Sequence, residues 1–140
     1  MKILYETTAV STGGRDGRVE VENSPLAFDM ALPAELGGAK KSGANPEQLF
    51  AAGYSACFGS AMQHVFREKK LSIPVPEIRV KVGIGRNNAG GFSLAVEITA
   101  VFRDIDLETA EALVKEAHQV CPYSNATRGN IDVTVSAKIA

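Results

Sequence analysis

At 140 residues the chain has the length of one domain with a true core, so a single site is expected. Charged residues make up 22% and the net charge is -1, which leaves no one-sign field for nucleic acid to bind. No apolar run is long enough to cross a bilayer, and "MKILYETTAVST" lacks an apolar segment followed by a cleavage site, so the cytoplasm is the expected location. Two cysteines in a reducing compartment are ordinarily free thiols, so a disulfide between Cys57 and Cys121 would be transient and chemical rather than structural. The sequon at Asn125 carries no meaning in that compartment.

In chain order, "KILYETTAVST" reads as a strand, "GGRDG" as a turn with glycines able to take positive φ, and "RVEVE" as an alternating second strand. "LAFDMA" adds a short third strand, and "PAELGGAKKSGA" reads as an exposed loop. A helix follows: Asn45 can cap it, Pro46 suits the first helical position, and Gln48 stands where a capping box requires it. From Glu47 to about Lys70 this helix is apolar nearly all round until "REKK", which predicts burial over its first four turns and a solvated end. Two β-rich segments flank the turn "NNAGG" as a hairpin. Asp106 then caps a second helix whose Leu107, Ala110, Leu113, Val114 and Ala117 form one apolar face. Pro122 ends it, "PYSNATR" allows a short helical turn, and "IDVTVSAKI" alternates as a last strand.

The order β-β-β-α-β-β-α-β predicts a single α+β domain over residues 1–140, with helices packed on largely antiparallel sheet. No repeat or low-complexity segment interrupts it. The first helix is apolar on more faces than one small sheet can cover, which points to a homodimer.

A lone buried cysteine is ordinarily an inert core residue. Three features pull Cys57 and Cys121 toward chemistry. Cys121 precedes Pro122 at the start of a helical turn, where unpaired N–H groups favour a thiolate. Gly53, Ser55, Ala56, Gly59 and Ser60 leave the helix around Cys57 open to close packing. Arg15 sits in a glycine turn that bends inward at little cost. His64 lies seven residues after Cys57, roughly 10 Å by helical rise, too far for a thiolate–imidazole pair. His118, near the end of the second helix, reads as a cation complementing the dipole. Neither histidine fits a metal-site spacing. Phe50, Phe58, Met62 and Phe66 read as core or as pocket lining.

"NPEQLFAAGYSACFGSAM" and "VCPYSNATRGN", with the early "GGRDGRV", resemble the organic hydroperoxide resistance proteins of the Ohr/OsmC superfamily, over essentially the whole chain. The "CPYSNATRGN" wording and the compact length are closer to the Ohr branch than to OsmC proper. The resemblance implies a thiol peroxidase that reduces organic hydroperoxides, an intertwined homodimer with no bound cofactor, and lipoyl groups of a partner protein, or dihydrolipoamide, as reductant. It also implies that Cys57 is the peroxidatic cysteine, Cys121 the resolving one, Arg15 the active-site arginine and Glu47 its acidic partner. From the residues alone, Arg15 could be a solvated turn residue and Glu47 a first-turn acid favoured by the helix dipole. Arg18 rivals Arg15, but it opens an alternating strand and should face solvent.

The implied chemistry suits these residue types. A thiolate must attack the peroxide, burial opposes the charged form, and a guanidinium stays charged and can oppose that burial. A carboxylate can hold the guanidinium in a two-point contact. Glu47 and Cys57 are ten residues apart on one helix, roughly 15 Å along its axis. An arginine serving both therefore either spans much of that gap or works in a site shared between two subunits. Resolution by Cys121 requires the two Cα atoms within about 7 Å. A funnel of Leu49, Phe50, Phe58 and Met62 would favour an alkyl or fatty-acyl tail. The alternatives are a non-catalytic redox sensor or ligand-binding module with the same cysteines, and an acyl-transfer or hydrolytic enzyme using Cys57 alone.

Overall fold

A computed structural model describes residues 1–140, which divide into two compact units, Met1–Leu49 and Phe50–Ala140. The first contains the antiparallel sheet β1 (Ala9–Thr12), β2 (Arg18–Val21) and β3 (Ala27–Asp29), in that spatial order. The predicted first strand is shorter than the segment suggested. Glu22 donates to the Thr8 carbonyl as the last rung, and no facing strand continues the ladder, so residues 1–8 stay outside the sheet. The turn between β1 and β2 is a 3-10 turn over Gly14–Asp16, entered through Gly13 at φ 81. Gly17 closes it; a Cβ there would stand 1.7 Å from the Thr12 carbonyl oxygen, so no larger residue fits without moving the strand. Met30 and Ala31 are the buried apolar residues of this unit, tied down by rungs between Ala31 and Ala44 and between Ala44 and Asp29.

The helix α1 (Pro46–Glu68) begins at the end of this unit. Its cap forms as the sequence implies: the Gln48 N–H donates to Asn45 Oδ1 at 2.8 Å and the Asn45 N–H to Gln48 Oε1 at 3.0 Å. The predicted burial over its first four turns does not hold within the chain. No residue from 46 to 53 is buried, and the buried set is Tyr54, Phe58, Ala61, Met62, Val65 and Phe66. That set recurs at three and four and forms one stripe. Ala52, Ala56, Ser60 and His64, although small or apolar in part, are exposed.

In the second unit β4 (Glu77–Arg86) and β5 (Phe92–Phe102) form the expected hairpin. Asn87 organises its turn by accepting from the N–H groups of Ala89 and Gly91. Then come α2 (Leu107–Val120), α3 (Pro122–Thr127) and β6 (Asp132–Ile139). The β5 to β6 connection runs through both helices, and β6 accordingly pairs parallel to β5, the one parallel pair in an otherwise antiparallel arrangement. Asp106 caps α2 through the Thr109 N–H. The stripe of α1, Ala110, Leu113, Val114 and Ala117 of α2, and the alternating Val96, Ile98, Ala100 and Phe102 of β5 close one core. Leu107 is exposed, outside the apolar face expected of it, because it occupies the first helical position beside the cap. No helix is long and apolar enough to cross a membrane.

Candidate active site

In the first unit, Arg15 extends from the glycine turn onto Glu47, the second residue of α1. Nη1 donates to Oε2 at 2.8 Å and Nη2 to Oε1 at 2.6 Å, the parallel fork in which guanidinium and carboxylate match best. Glu47 is the more buried partner, with its side chain 14% exposed against 34% for Arg15. The hydrogen bonds to Arg15 hold the Glu47 carboxyl below the usual carboxylate range, and those to Glu47 raise Arg15 above its ordinary value. Arg18 instead pairs with Glu20 and Asp29 on the exposed sheet, so the solvent-facing role expected of it stands.

In the second unit the two thiols meet. Cys57, half-buried on α1, and Cys121, fully buried, have their sulfur atoms 3.5 Å apart, not joined in a disulfide. Cys121 ends α2 and caps α3: its N–H donates to Ala117 and its carbonyl accepts from Asn125. Pro122 makes this junction, since it can start α3 but not continue α2. Burial pushes the Cys57 thiol up, the backbone N–H of Tyr123 opposes that shift, and the adjacent Cys121 adds to it. A positive group close to Cys57 would oppose that rise.

The ring of Tyr123 lies on the flank of α1 at Gly53, where a Cβ would stand 3.1 Å from the tyrosine Oη. It packs with Tyr54 and Phe50 at centroid distances of 5.6 and 6.2 Å. Phe50 and Leu49 are half-buried and keep part of their surface exposed. Phe58 and Met62 do not: both are fully buried in the core, so the funnel expected of these four residues loses two members. Their positions on the inner stripe of α1 account for this, because the helix turns them away from Leu49 and Ala56. His64 is exposed on α1. His118 stands in the last turn of α2, where the sequence suggests a cation, but burial and the nearby Arg128 lower its pKa, and its Nδ1 lies 2.8 Å from Ser124 Oγ.

Reading by residue type passed over Tyr54, Tyr123 and Ser124. Ser124 and Thr127 are the buried polar residues of the chain, and both bond to the Tyr54 hydroxyl, at 2.9 and 3.1 Å. The available signal was a string of small polar residues, "YSNAT", directly after a cysteine and proline and before a chain-reversing glycine.

A family model described as OsmC-like protein matches residues 37–136. The chain belongs to the OsmC-like family. Within it, the chain is 50% identical over 136 residues to the organic hydroperoxide resistance protein of Xanthomonas axonopodis pv. citri, covering 96% of this chain and 95% of that one. It is similar in structure to the organic hydroperoxide resistance protein of Elizabethkingia anophelis, with a TM-score of 0.94 and 48% identity over the full length of both. OhrB of Bacillus subtilis matches with a TM-score of 0.89 and 42% identity, over 97% of this chain and 100% of that one. The resemblance drawn from the cysteine motifs and the α+β fold is borne out by these OsmC-like relatives.

Proposed function

We propose that this chain serves organic hydroperoxide resistance as a thiol-dependent peroxidase, reducing organic hydroperoxides to alcohols. The observation that carries the reading is the contact between Cys57 and Cys121, two sulfurs 3.5 Å apart in a family whose relatives are named for this resistance. Cys57 as thiolate attacks the terminal peroxide oxygen; the O–O bond breaks, the alkoxide takes a proton and leaves as alcohol, and Cys57 becomes a sulfenic acid. The Cys121 sulfur then attacks that sulfur; the S–O bond breaks, and the hydroxide leaves with the Cys121 proton as water. A dithiol, dihydrolipoamide or a lipoylated protein, exchanges through the disulfide and restores both thiols.

The first step needs a cation, and Arg15 is the candidate. Fixed by Glu47, its guanidinium would stabilise the thiolate and the charge developing on the leaving oxygen. Glu47 stands ten residues before Cys57 on α1, roughly 15 Å along its axis, and is matched to the arginine of its own chain. We therefore assign each Arg15–Glu47 pair to the thiol of a partner copy, in a homodimer with two equivalent sites. The half-buried Leu49 and Phe50 supply apolar surface for an alkyl tail, which favours organic over hydrogen peroxide.

Consumption of tert-butyl hydroperoxide and of hydrogen peroxide, with dihydrolipoamide as donor, tests this for wild type, Cys57→Ser and Cys121→Ser. Many turnovers with preference for the organic peroxide, lost to background in Cys57→Ser, is the expected result. One stoichiometric oxidation without turnover would instead identify a redox sensor.

A further inference from the structure

The polar cluster behind the thiols has a single internally consistent direction. Four contacts link it: His118 Nδ1 to Ser124 Oγ at 2.8 Å, Ser124 Oγ to Tyr54 Oη at 2.9 Å, Tyr54 Oη to Thr127 Oγ1 at 3.1 Å, and Thr127 Oγ1 to the Ser124 carbonyl at 3.2 Å. Each hydroxyl has one proton. A carbonyl can only accept, so Thr127 spends its proton there; Tyr54 must then donate to Thr127, and Ser124 to Tyr54. The remaining contact is satisfied only if His118 donates from Nδ1. Burial and the nearby Arg128 lower the pKa of this imidazole. No buried side-chain polar atom lacks a partner, as this assignment requires.

The chain of donors ties three helices together next to the sulfurs. Tyr54 is three residues before Cys57 on α1, and Ser124 three after Cys121 at the head of α3. The Tyr54–Ser124 bond is thus a second rung between α1 and α3, one turn from the sulfur contact, and His118 fastens the same serine to α2. Closing the disulfide moves the sulfurs from 3.5 Å to about 2.05 Å, a short displacement that succeeds only if the helices hold their register.

We infer that His118, Ser124 and Tyr54 are positioning residues for resolution: through the Nδ1–H to Oγ–H to Oη–H chain they hold Cys121 in line with a Cys57 sulfenic acid, before a second peroxide can oxidise it further. This rests on the peroxidase reading above. The clamp touches no reacting atom, so it leaves the first attack unaltered and acts on the partition of the sulfenic acid between disulfide and sulfinic acid.

The test treats full-length wild type, Tyr54→Phe, Ser124→Ala, His118→Leu and His118→Asn with excess tert-butyl hydroperoxide, then measures disulfide and sulfinic acid by mass spectrometry and the rate of Cys57 thiol loss by rapid quench. In Tyr54→Phe, Ser124→Ala and His118→Leu the ratio of sulfinic acid to disulfide should rise about fivefold, the effect of one ordinary hydrogen bond, at an unchanged rate of thiol loss. His118→Asn, which keeps an N–H donor near the Nδ1 position, should recover most of the wild-type ratio. Val114→Ala, a core truncation on α2, controls for lost stability. Wild-type partition in all three deletions would overturn the inference, and so would an equal shift in Val114→Ala at an equal loss of Tm. If wild type forms no Cys57–Cys121 disulfide at all, the peroxidase reading itself falls.

Discussion

The Arg15–Glu47 pair and the Cys57–Cys121 pair are built on opposite principles. The charged pair belongs to a unit whose buried apolar residues are Met30 and Ala31, and it hangs from a turn of glycines. The thiols belong to a unit with a closed core of α1, α2 and β5, and their helices are joined by a second set of hydrogen bonds. A region with little buried apolar surface opens at low free-energy cost, whereas a packed one moves with its whole unit. On the peroxidase reading proposed above, a charge that admits substrate and releases product suits the first kind of region, and two sulfurs that meet within a fraction of an ångström suit the second.

Three substitutions sharpen or break this contrast, the largest first. Phe58→Ala removes a fully buried ring from the core of the second unit and should cost about 3–5 kcal/mol in urea unfolding; a cost within experimental error would show that the core is not what holds the thiols. Arg15→Met, which keeps the stem and deletes the charge, should lower kcat/KM for an organic hydroperoxide about 100-fold with little change in Tm. Because burial raises the Cys57 pKa and a cation must oppose it, that variant's activity should also require higher pH: the limb on which rate rises with pH moves upward. An unmoved limb would separate Arg15 from the thiolate. Arg18→Ala breaks the exposed pairs with Glu20 and Asp29, which solvent screens, and should leave both Tm and activity close to wild type. A large loss of activity there would reverse the roles of the two arginines.

Much of this could be read before any coordinates. Asn45, Pro46 and Gln48 announce the start of α1 through local chemistry, and Asp106 does the same for α2; a cap depends on a few adjacent residues and survives in any tertiary context. Pro122 after Cys121 marks the junction of two helices for the same local reason. The periodic residues of α2 found the core, but in α1 Phe58 and Met62 could not be told from Leu49 and Phe50, since a helix apolar nearly all round does not say which stripe faces inward. His118 shows the limit of position on a helix: its place near a helix end suggests a cation, while burial and Arg128, both set by the tertiary fold, lower its pKa, and Ser124 Oγ comes to 2.8 Å from its Nδ1.

By itself, then, the sequence determined the element order, the caps, the turn that carries Arg15 and, through its motifs, the family. The tertiary structure alone decided that Cys121 lies 3.5 Å from Cys57, that Arg15 forks onto Glu47, and that Tyr54, Ser124 and His118 stand behind the thiols. The pairings join residues 64, 32 and 70 positions apart for the sulfurs, the ion pair and the Tyr54–Ser124 bond. Local preference acts over a turn or two of chain, while contacts at such separations are set by how the apolar faces of whole helices and sheets close on one another.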